Sequence, residues 1–187
     1  MPVQSRLAPM EHYEHPLSVF KYIISTYNLN GLSAYSNAAR NARIVANIRA
    51  LAVRSHAILL QETHLNFDDH FSLARVLPGW KVFYSNYSNT KRGVATLISP
   101  AIHRNCTITT PAVDKAQQGS ILPLLITPLD CPATTVLLLN LYLPTGENHP
   151  ARLAEALEVC CTLPSAVFNL AAGDFNFVES PSDCSTG

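Results

Sequence analysis

Four apolar stretches of the sequence run directly into polar residues that packing alone does not explain. The first ends at Asn28-Leu29-Asn30-Gly31, the second at Gln61-Glu62-Thr63-His64, the third at Asn140-Leu141-Tyr142-Leu143-Pro144 and the fourth at Gly173-Asp174-Phe175-Asn176. Carboxylates and carboxamides suit a hard divalent cation, and amide and hydroxyl donors suit a phosphate; together they are what phosphodiester hydrolysis requires. Each stretch also has a plainer reading on its own. Asn-x-Asn-Gly forms turns, because Asn and Gly tolerate positive φ. Glu62 can end a strand in solvent, and Tyr142 followed by Pro144 can be an aromatic side chain beside a turn. Gly-Asp-Phe-Asn is sharper, since Asp and Asn are poor strand formers set here against an apolar run.

These residues are far apart in the chain, so the elements before them must bring them together. Val19–Tyr27 is β-branched and aromatic and reads as a strand. Ser36–Arg54 carries Ala39, Ile44, Ile48 and Leu51 at helical spacing, with Ser36 or Asn37 as N-cap. Ala57–Gln61 reads as a short buried strand, and Asp68–Val76 as a helix stopped by Pro78-Gly79. Strands are expected at Trp80–Tyr84, Gly93–Ser99, Cys106–Thr110 and Ser120–Thr127. Thr134–Leu141 is a continuous apolar strand of the kind buried on both faces, His149–Leu163 an amphipathic helix, and Ala166–Ala172 a further buried strand. Strands cluster in the middle with helices around them, without strict β-α alternation. The expected fold is α/β, a layered sandwich of two packed mixed β-sheets flanked by helices. Strand C-termini in such folds form one rim, where clefts sit. Residues 1–18 read as a disordered leader and 19–187 as one domain.

Taken together, the order and spacing of the four stretches resemble the endonuclease domains of LINE-type (non-LTR) retrotransposons. Those domains are relatives of the apurinic/apyrimidinic endonucleases in the endonuclease/exonuclease/phosphatase superfamily. The resemblance runs from about Tyr22 to Gly187 and rests on YNLNGLS (27–33), LLQETHL (59–65), GVATLIS (93–99), GSI (119–121), LNLYLPTG (139–146) and GDFN (173–176). ESPSDCST (179–186) also looks like the family's stretch after GDFN, keeping Asp183 but having Cys184 where an arginine is common.

The resemblance implies a role for each matching residue. Glu62 would be the principal Mg(II) ligand (Mn(II) is the alternative ion), with Asn28 and Asp174 completing the metal site. Asn28 would also help hold the scissile phosphate, and Asn30 would support the same loop. Tyr142 would lie against the phosphate and help place the nucleophile. Asp174 would orient or deprotonate the attacking water. Asn176 would hydrogen-bond a phosphate oxygen and stabilise the charge that develops there. Asp183 is not assigned a catalytic part. The family usually ends in Ser-Asp-His, whose histidine contacts the phosphate; none of the seven histidines here lies in such a motif, and His64 reads as a loop residue after its strand. The expectation is therefore a fold without its last strands, an exposed sheet edge and weak or absent activity.

The net charge is zero but uneven: residues 1–110 hold eleven Lys/Arg and five Asp/Glu, and residues 111–187 hold two and eight. A basic first part beside an acidic last part suits a polyanion-binding face next to a metal-binding one. Arg40, Arg43, Arg49 and Arg54 on the first helix, and Lys91 and Arg92 in a loop, are the candidate contacts to a DNA backbone. Five cysteines, an odd number with no C-x-x-C, suggest buried thiols in a reducing compartment and no zinc site. The N-terminus lacks the apolar core of a secretory signal, and no apolar run approaches the roughly 20 residues that span a bilayer. The expected protein is soluble and intracellular, nuclear if of retrotransposon origin, with DNA as partner and no protein partner indicated. The reading is a DNA-nicking endonuclease. A phosphatase of the same superfamily acting on a small phosphoester, and a binding domain that has lost its chemistry, are the alternatives.

Overall fold

A computed structural model describes residues 22–32, 37–65, 73–87, 92–113, 118–143, 154, 158, 161–162 and 168–176. The leader, Lys91 and Asp183 lie outside the described residues, as do the beginning of the helix expected at Asp68 and most of that expected over 149–163. Within the latter, residues 154, 158 and 161–162 are helical.

Eight strands form two four-stranded mixed sheets. The first contains β1 (Ile24–Asn28), β2 (Ala57–Gln61), β3 (Lys81–Ser85) and β4 (Val94–Ile98) in the order β1-β2-β4-β3. The second contains β5 (Cys106–Thr109), β6 (Ile121–Pro128), β7 (Val136–Tyr142) and β8 (Phe168–Asp174) in sequence order. β1 is parallel to β2 and β7 is parallel to β8, while every other pair is antiparallel. Each parallel pair thus brings two strand C-termini side by side. The register places Asn28 beside Gln61 and Tyr142 beside Asp174.

Period-two alternation explains the layers. On β2, Ala57 and Leu59 face the second sheet, where they pack with Val94 and Ile98 of β4, Leu122 and Leu124 of β6, and Leu138 of β7. Ile58 and Leu60 face the other way, against Ile44 and Ile48 of the helix α1 (Ala38–Ala52) and Leu73 of the short helix α2 (Leu73–Val76). Asn37 caps α1, its side chain accepting from Ala39 N at 2.8 Å, an interaction typically contributing about 1 kcal/mol. Ile121, Leu137, Leu139 and Leu141 form a third cluster on the other face of the second sheet.

The layered sandwich expected from sequence is the fold observed, and β7 is buried nearly throughout. Some local expectations differ. A one-turn helix, α3 (Pro100–His103), follows β4, opened by Pro100 at its first turn. Thr134 belongs to a 3-10 turn, Pro132–Thr134, and the strand begins at Val136. The last strand, expected to be buried, is exposed along its first half, with Phe168 61% and Leu170 42% accessible. It pairs with β7 on one side and is the last strand of its sheet among the described residues, so its other edge has no partner strand among them. Cys106 is buried as expected, but Cys131 and Cys161 are exposed, because they sit beside a turn and on a helical surface. No helix among the described residues is long and apolar enough to cross a membrane.

Candidate active site

Both parallel pairs end at the same place. Asn28, the last residue of β1, points its amide nitrogen at two carboxylates: Nδ2 donates to Glu62 Oε1 at 2.9 Å and to Asp174 Oδ2 at 2.5 Å. One side chain therefore ties the first sheet to the second. Tyr142, next to Asp174 in the register, hydrogen-bonds Glu62 through its phenol. Asn28, Glu62, Tyr142 and Asp174 thus meet, as the sequence reading requires.

Loop geometry holds these side chains in place. Asn28 Oδ1 accepts from Asn30 N at 2.8 Å, closing an Asx turn. The 29–32 segment is hydrogen-bonded along the chain after β2: Leu29 N to Gln61 O (2.9 Å), Gly31 N to Glu62 O (2.7 Å) and Leu32 N to Thr63 O (2.8 Å). Arg40 reaches back from α1 and donates to the carbonyls of Leu29, Asn30 and Gly31. On the other side Leu143 N donates to Asp174 O at 2.9 Å, and Asn176 N donates to Asp174 Oδ1 at 2.9 Å. Asn176 Nδ2 gives one hydrogen to Leu143 O at 2.7 Å, leaving its second amide hydrogen for another acceptor.

Five non-glycine residues have positive φ among the described residues: Asn30 (49°), Glu62 (48°), His64 (52°) and Asn176 (45°) in the segments after β1, β2 and β8, and Arg92 (58°), whose carbonyl is hydrogen-bonded to His64 N, just before β4. Left-handed backbone is uncommon away from glycine and clusters where function over-determines the chain. Glu62 is the telling case, because a glutamate has no local preference for that conformation. Gly173, at φ +154, is required for a different reason: a Cβ there would lie 1.9 Å from Leu141 O, on the strand that carries Tyr142.

The site's electrostatics follow from burial among carboxylates. Burial raises the Tyr142 pKa to about 12, helped by the charge of Glu62, its hydrogen bond to Glu62, and the charge of Asp174, while Arg92 opposes the shift. Tyr142 is thus a neutral donor at physiological pH. Burial lowers the His64 pKa below its ordinary 6.5, with Glu62 pulling the other way. His64 Nε2 lies 3.5 Å from Glu62 Oε2, so a neutral imidazole lines the carboxylate. Sequence reading placed His64 in a loop; its place against Glu62 and Gly31 was not foreseen, though its spacing from Glu62 was visible.

The donor set fits a hard cation of the Mg(II) kind. Two carboxylates share one edge of the rim, and Mg(II) commonly takes one or two carboxylates and fills its remaining positions with water and phosphate. No group of three or more His, Cys, Asp or Glu side chains suited to a metal occurs among the described residues. Asn28 presents its nitrogen to the carboxylates, because its oxygen is taken by Asn30 N; as arranged here it is an orienting donor, and an oxygen ligand only after rotation.

Other sequence candidates divide. Arg92 stands at the site, its guanidinium 4.8 Å above the Tyr87 ring and its carbonyl accepting from His64 N at 3.0 Å. Arg40 is occupied by loop carbonyls, and Arg49 donates to Val76 O at 3.3 Å, so neither is simply an outward-facing cation. Arg43 and Arg54 are exposed. Asn140 lies wholly inside the core, hydrogen-bonded to Gln61 and to carbonyls of the first sheet.

No curated protein matches the sequence. Among solved structures, the fold is similar to an AP endonuclease from Leishmania major (19% identity, TM-score 0.59, covering 87% of this chain and 57% of that one). It is also similar to a 3' phosphatase, NExo, from Neisseria bound to product DNA hairpin (22% identity, TM-score 0.56, 88% and 61%). A third is truncated Caenorhabditis elegans TDP2 (20% identity, TM-score 0.57, 85% and 64%). At these identities the likeness is one of fold, and the chain spans between 57% and 64% of the length of these three structures. The family model described as Endonuclease/Exonuclease/phosphatase family matches residues 25–186, from β1 to beyond the Gly-Asp-Phe-Asn stretch. The chain belongs to the Endonuclease/Exonuclease/phosphatase family.

Proposed function

We propose that this chain, from residue 19 onward, is a metal-dependent phosphodiesterase-type domain that nicks DNA, of LINE-retrotransposon descent. The observation that carries the reading is the Asn28 amide held between the Glu62 and Asp174 carboxylates, 2.9 and 2.5 Å away. It gathers ligand and base candidates from opposite sheets at one point. The similar NExo structure is bound to a product DNA hairpin, and a similar D. rerio TDP2 structure is complexed with single-strand DNA product; both support a nucleic-acid substrate.

Glu62 and Asp174 would hold Mg(II), or Mn(II) in its place, which when bound supplies Lewis-acid polarisation of the phosphate. Asp174 Oδ2 would orient the attacking water and take its proton as the new P–O bond forms and the bond to the leaving oxygen breaks. Asn28 fixes the directions of both carboxylates. The neutral Tyr142 phenol and the second amide hydrogen of Asn176 would donate to non-bridging phosphate oxygens, where charge builds up. Asn30 holds the Asn28 side chain through its backbone N–H. Lys91, Arg92, Arg43 and Arg54 would follow the DNA backbone.

The test is nicking of supercoiled plasmid in Mg(II) by the protein and by Glu62→Gln. Nicking that falls about 100-fold or more in the variant is expected, the scale of losing a group that stabilises the transition state. Equal nicking by both proteins would sink the assignment. Hydrolysis of a small phosphoester with no nicking would move the protein to the phosphatase class of its family. Mg(II) binding absent and unchanged by Glu62→Ala would make it a binding domain.

A further inference from the structure

The geometry points to Gln61 and Asn140 as positioning residues that hold the two halves of the site in register. This inference deepens the reading above by naming what aligns Glu62 with Tyr142. Neither residue belongs to the set proposed to meet cation or substrate. Asn140 on β7 is 0% exposed and Gln61 on β2 is 1% exposed, in an interior that is otherwise mostly aliphatic.

Their amides form a continuous bridge in which every side-chain nitrogen and oxygen has a hydrogen-bond partner. Gln61 Nε2 donates to Asn140 Oδ1 at 2.8 Å, and Thr26 Oγ1 on β1 donates to Gln61 Oε1 at 3.0 Å. Asn140 Nδ2 crosses to the first sheet and donates to Ala95 O at 2.9 Å and Leu60 O at 3.2 Å, with Thr96 Oγ1 at 3.3 Å. One side chain of the second sheet is thereby bound directly to two strands of the first, β2 and β4, and through Gln61 to a third, β1. Apolar contact between sheets is non-directional and tolerates sliding. A bridge of buried amides does not, because a slip leaves donors and acceptors unpaired where water cannot reach them.

The location of the bridge ties it to the site. Gln61 pairs with Asn28 in the register and directly precedes Glu62, where the chain enters its left-handed conformation. Asn140 lies two residues before Tyr142 on the same strand, so both side chains leave the same face. The direct links between the two halves, Tyr142 to Glu62 and Asn28 to Asp174, lie immediately beyond this crossing. The bridge sets the sliding position of β7 against β2, and with it the meeting of phenol, amide and carboxylates. Buried polar groups replaced together by apolar ones of similar size commonly leave stability unchanged or improved. A purely packing role therefore predicts that the bridge is replaceable.

The test compares the parent with Gln61→Leu/Asn140→Leu and with Gln61→Met, which keeps volume and removes the donor to Asn140. Two quantities are measured in the absence of any cation: the melting temperature, and the side-chain amide proton shifts of Asn28, assigned by their loss in Asn28→Ala. The expected result is a folded double variant melting at or above the parent temperature, with the Asn28 amide shifts moved toward free-amide values. Gln61→Met should move them in the same direction. Mn(II) affinity should then fall about tenfold, the low end of the effect of supporting residues on metal affinity. Unchanged Asn28 shifts in either folded variant overturn the inference, and so does a double variant that fails to fold, which would make the bridge a requirement of the fold itself. The amide shifts need no metal. A parent that binds no Mn(II) would therefore count against the proposed function alone.

Discussion

Glu62 leaves a strand in which all five residues are buried, whereas Asp174 leaves one whose first four residues are exposed. The two carboxylates meet the same Asn28 amide, yet they are held by different means. β2 sits inside its sheet, flanked by β1 and β4, and covered on one face by α1 and α2 and on the other by the second sheet. The Glu62 backbone is then pinned by the chain after β1, which Arg40 braces through three carbonyls. β8 pairs with β7 alone among the described strands. Asp174 depends on local devices: the close approach of Gly173 to Leu141, the Leu143 N–H on its carbonyl and the Asn176 N–H on its carboxylate. One rim can thus pair a carboxylate held by the surrounding scaffold with one held by its immediate neighbours.

The largest contrast between the two halves is expected at Gly173 and Gly31. Gly173→Ala places a methyl against backbone, at 1.9 Å from Leu141 O, and should cost about 3–5 kcal/mol in urea unfolding. Gly31→Ala, at φ +92, strains the backbone, but its methyl meets the His64 ring at 2.6 Å, which can swing aside; about 1–2 kcal/mol is expected. Equal costs would mean that β8 is no more dependent on close approach than the loop after β1.

Hydrogen exchange gives the next effect. Amides of β2 should exchange only at the global unfolding limit, and those of β8 roughly 10- to 100-fold faster, because exposed edge elements open locally. Identical protection would erase the contrast between the halves.

The smallest effect joins the two halves through Tyr142. Its pKa is raised from 10.0 to about 12 in the folded state, so the folded protein keeps a proton that the unfolded chain loses. The contribution is complete below pH 10 and is lost as pH rises toward about 12, on the order of 1–2 kcal/mol. Tyr142→Phe should flatten that decline in urea melts between those pH values; an unchanged slope would remove Tyr142 from the contact with Glu62.

Much of this arrangement was legible in the chain. Apolar runs ending in Asn, Glu, Tyr and Gly-Asp marked β1, β2, β7 and β8, since side-chain chemistry and strand pattern are both local. The convergence of their ends rested on topology and on the family resemblance, and the parallel registers supply it. Three features were not legible. The arginines of α1 look alike in sequence, but only the fold turns Arg40 toward the carbonyls of Leu29, Asn30 and Gly31. Asn140 stood in a candidate motif, and its burial as a crossbridge depends on strands about 80 residues away. Phe168 and Leu170 read as core because hydrophobicity says nothing of how a strand is covered, and β8 is the last strand of its sheet among the described residues.

Glu62 and Asp174 are proposed to act on one cation from opposite sheets. Calorimetric titration of Mn(II) into the parent, Glu62→Gln, Asp174→Asn and the double variant tests it most directly. One cation per chain is expected, with strong loss in each single variant and little further loss in the double, as for residues that share a partner. Independent, additive losses, or binding untouched by either change, would contradict it.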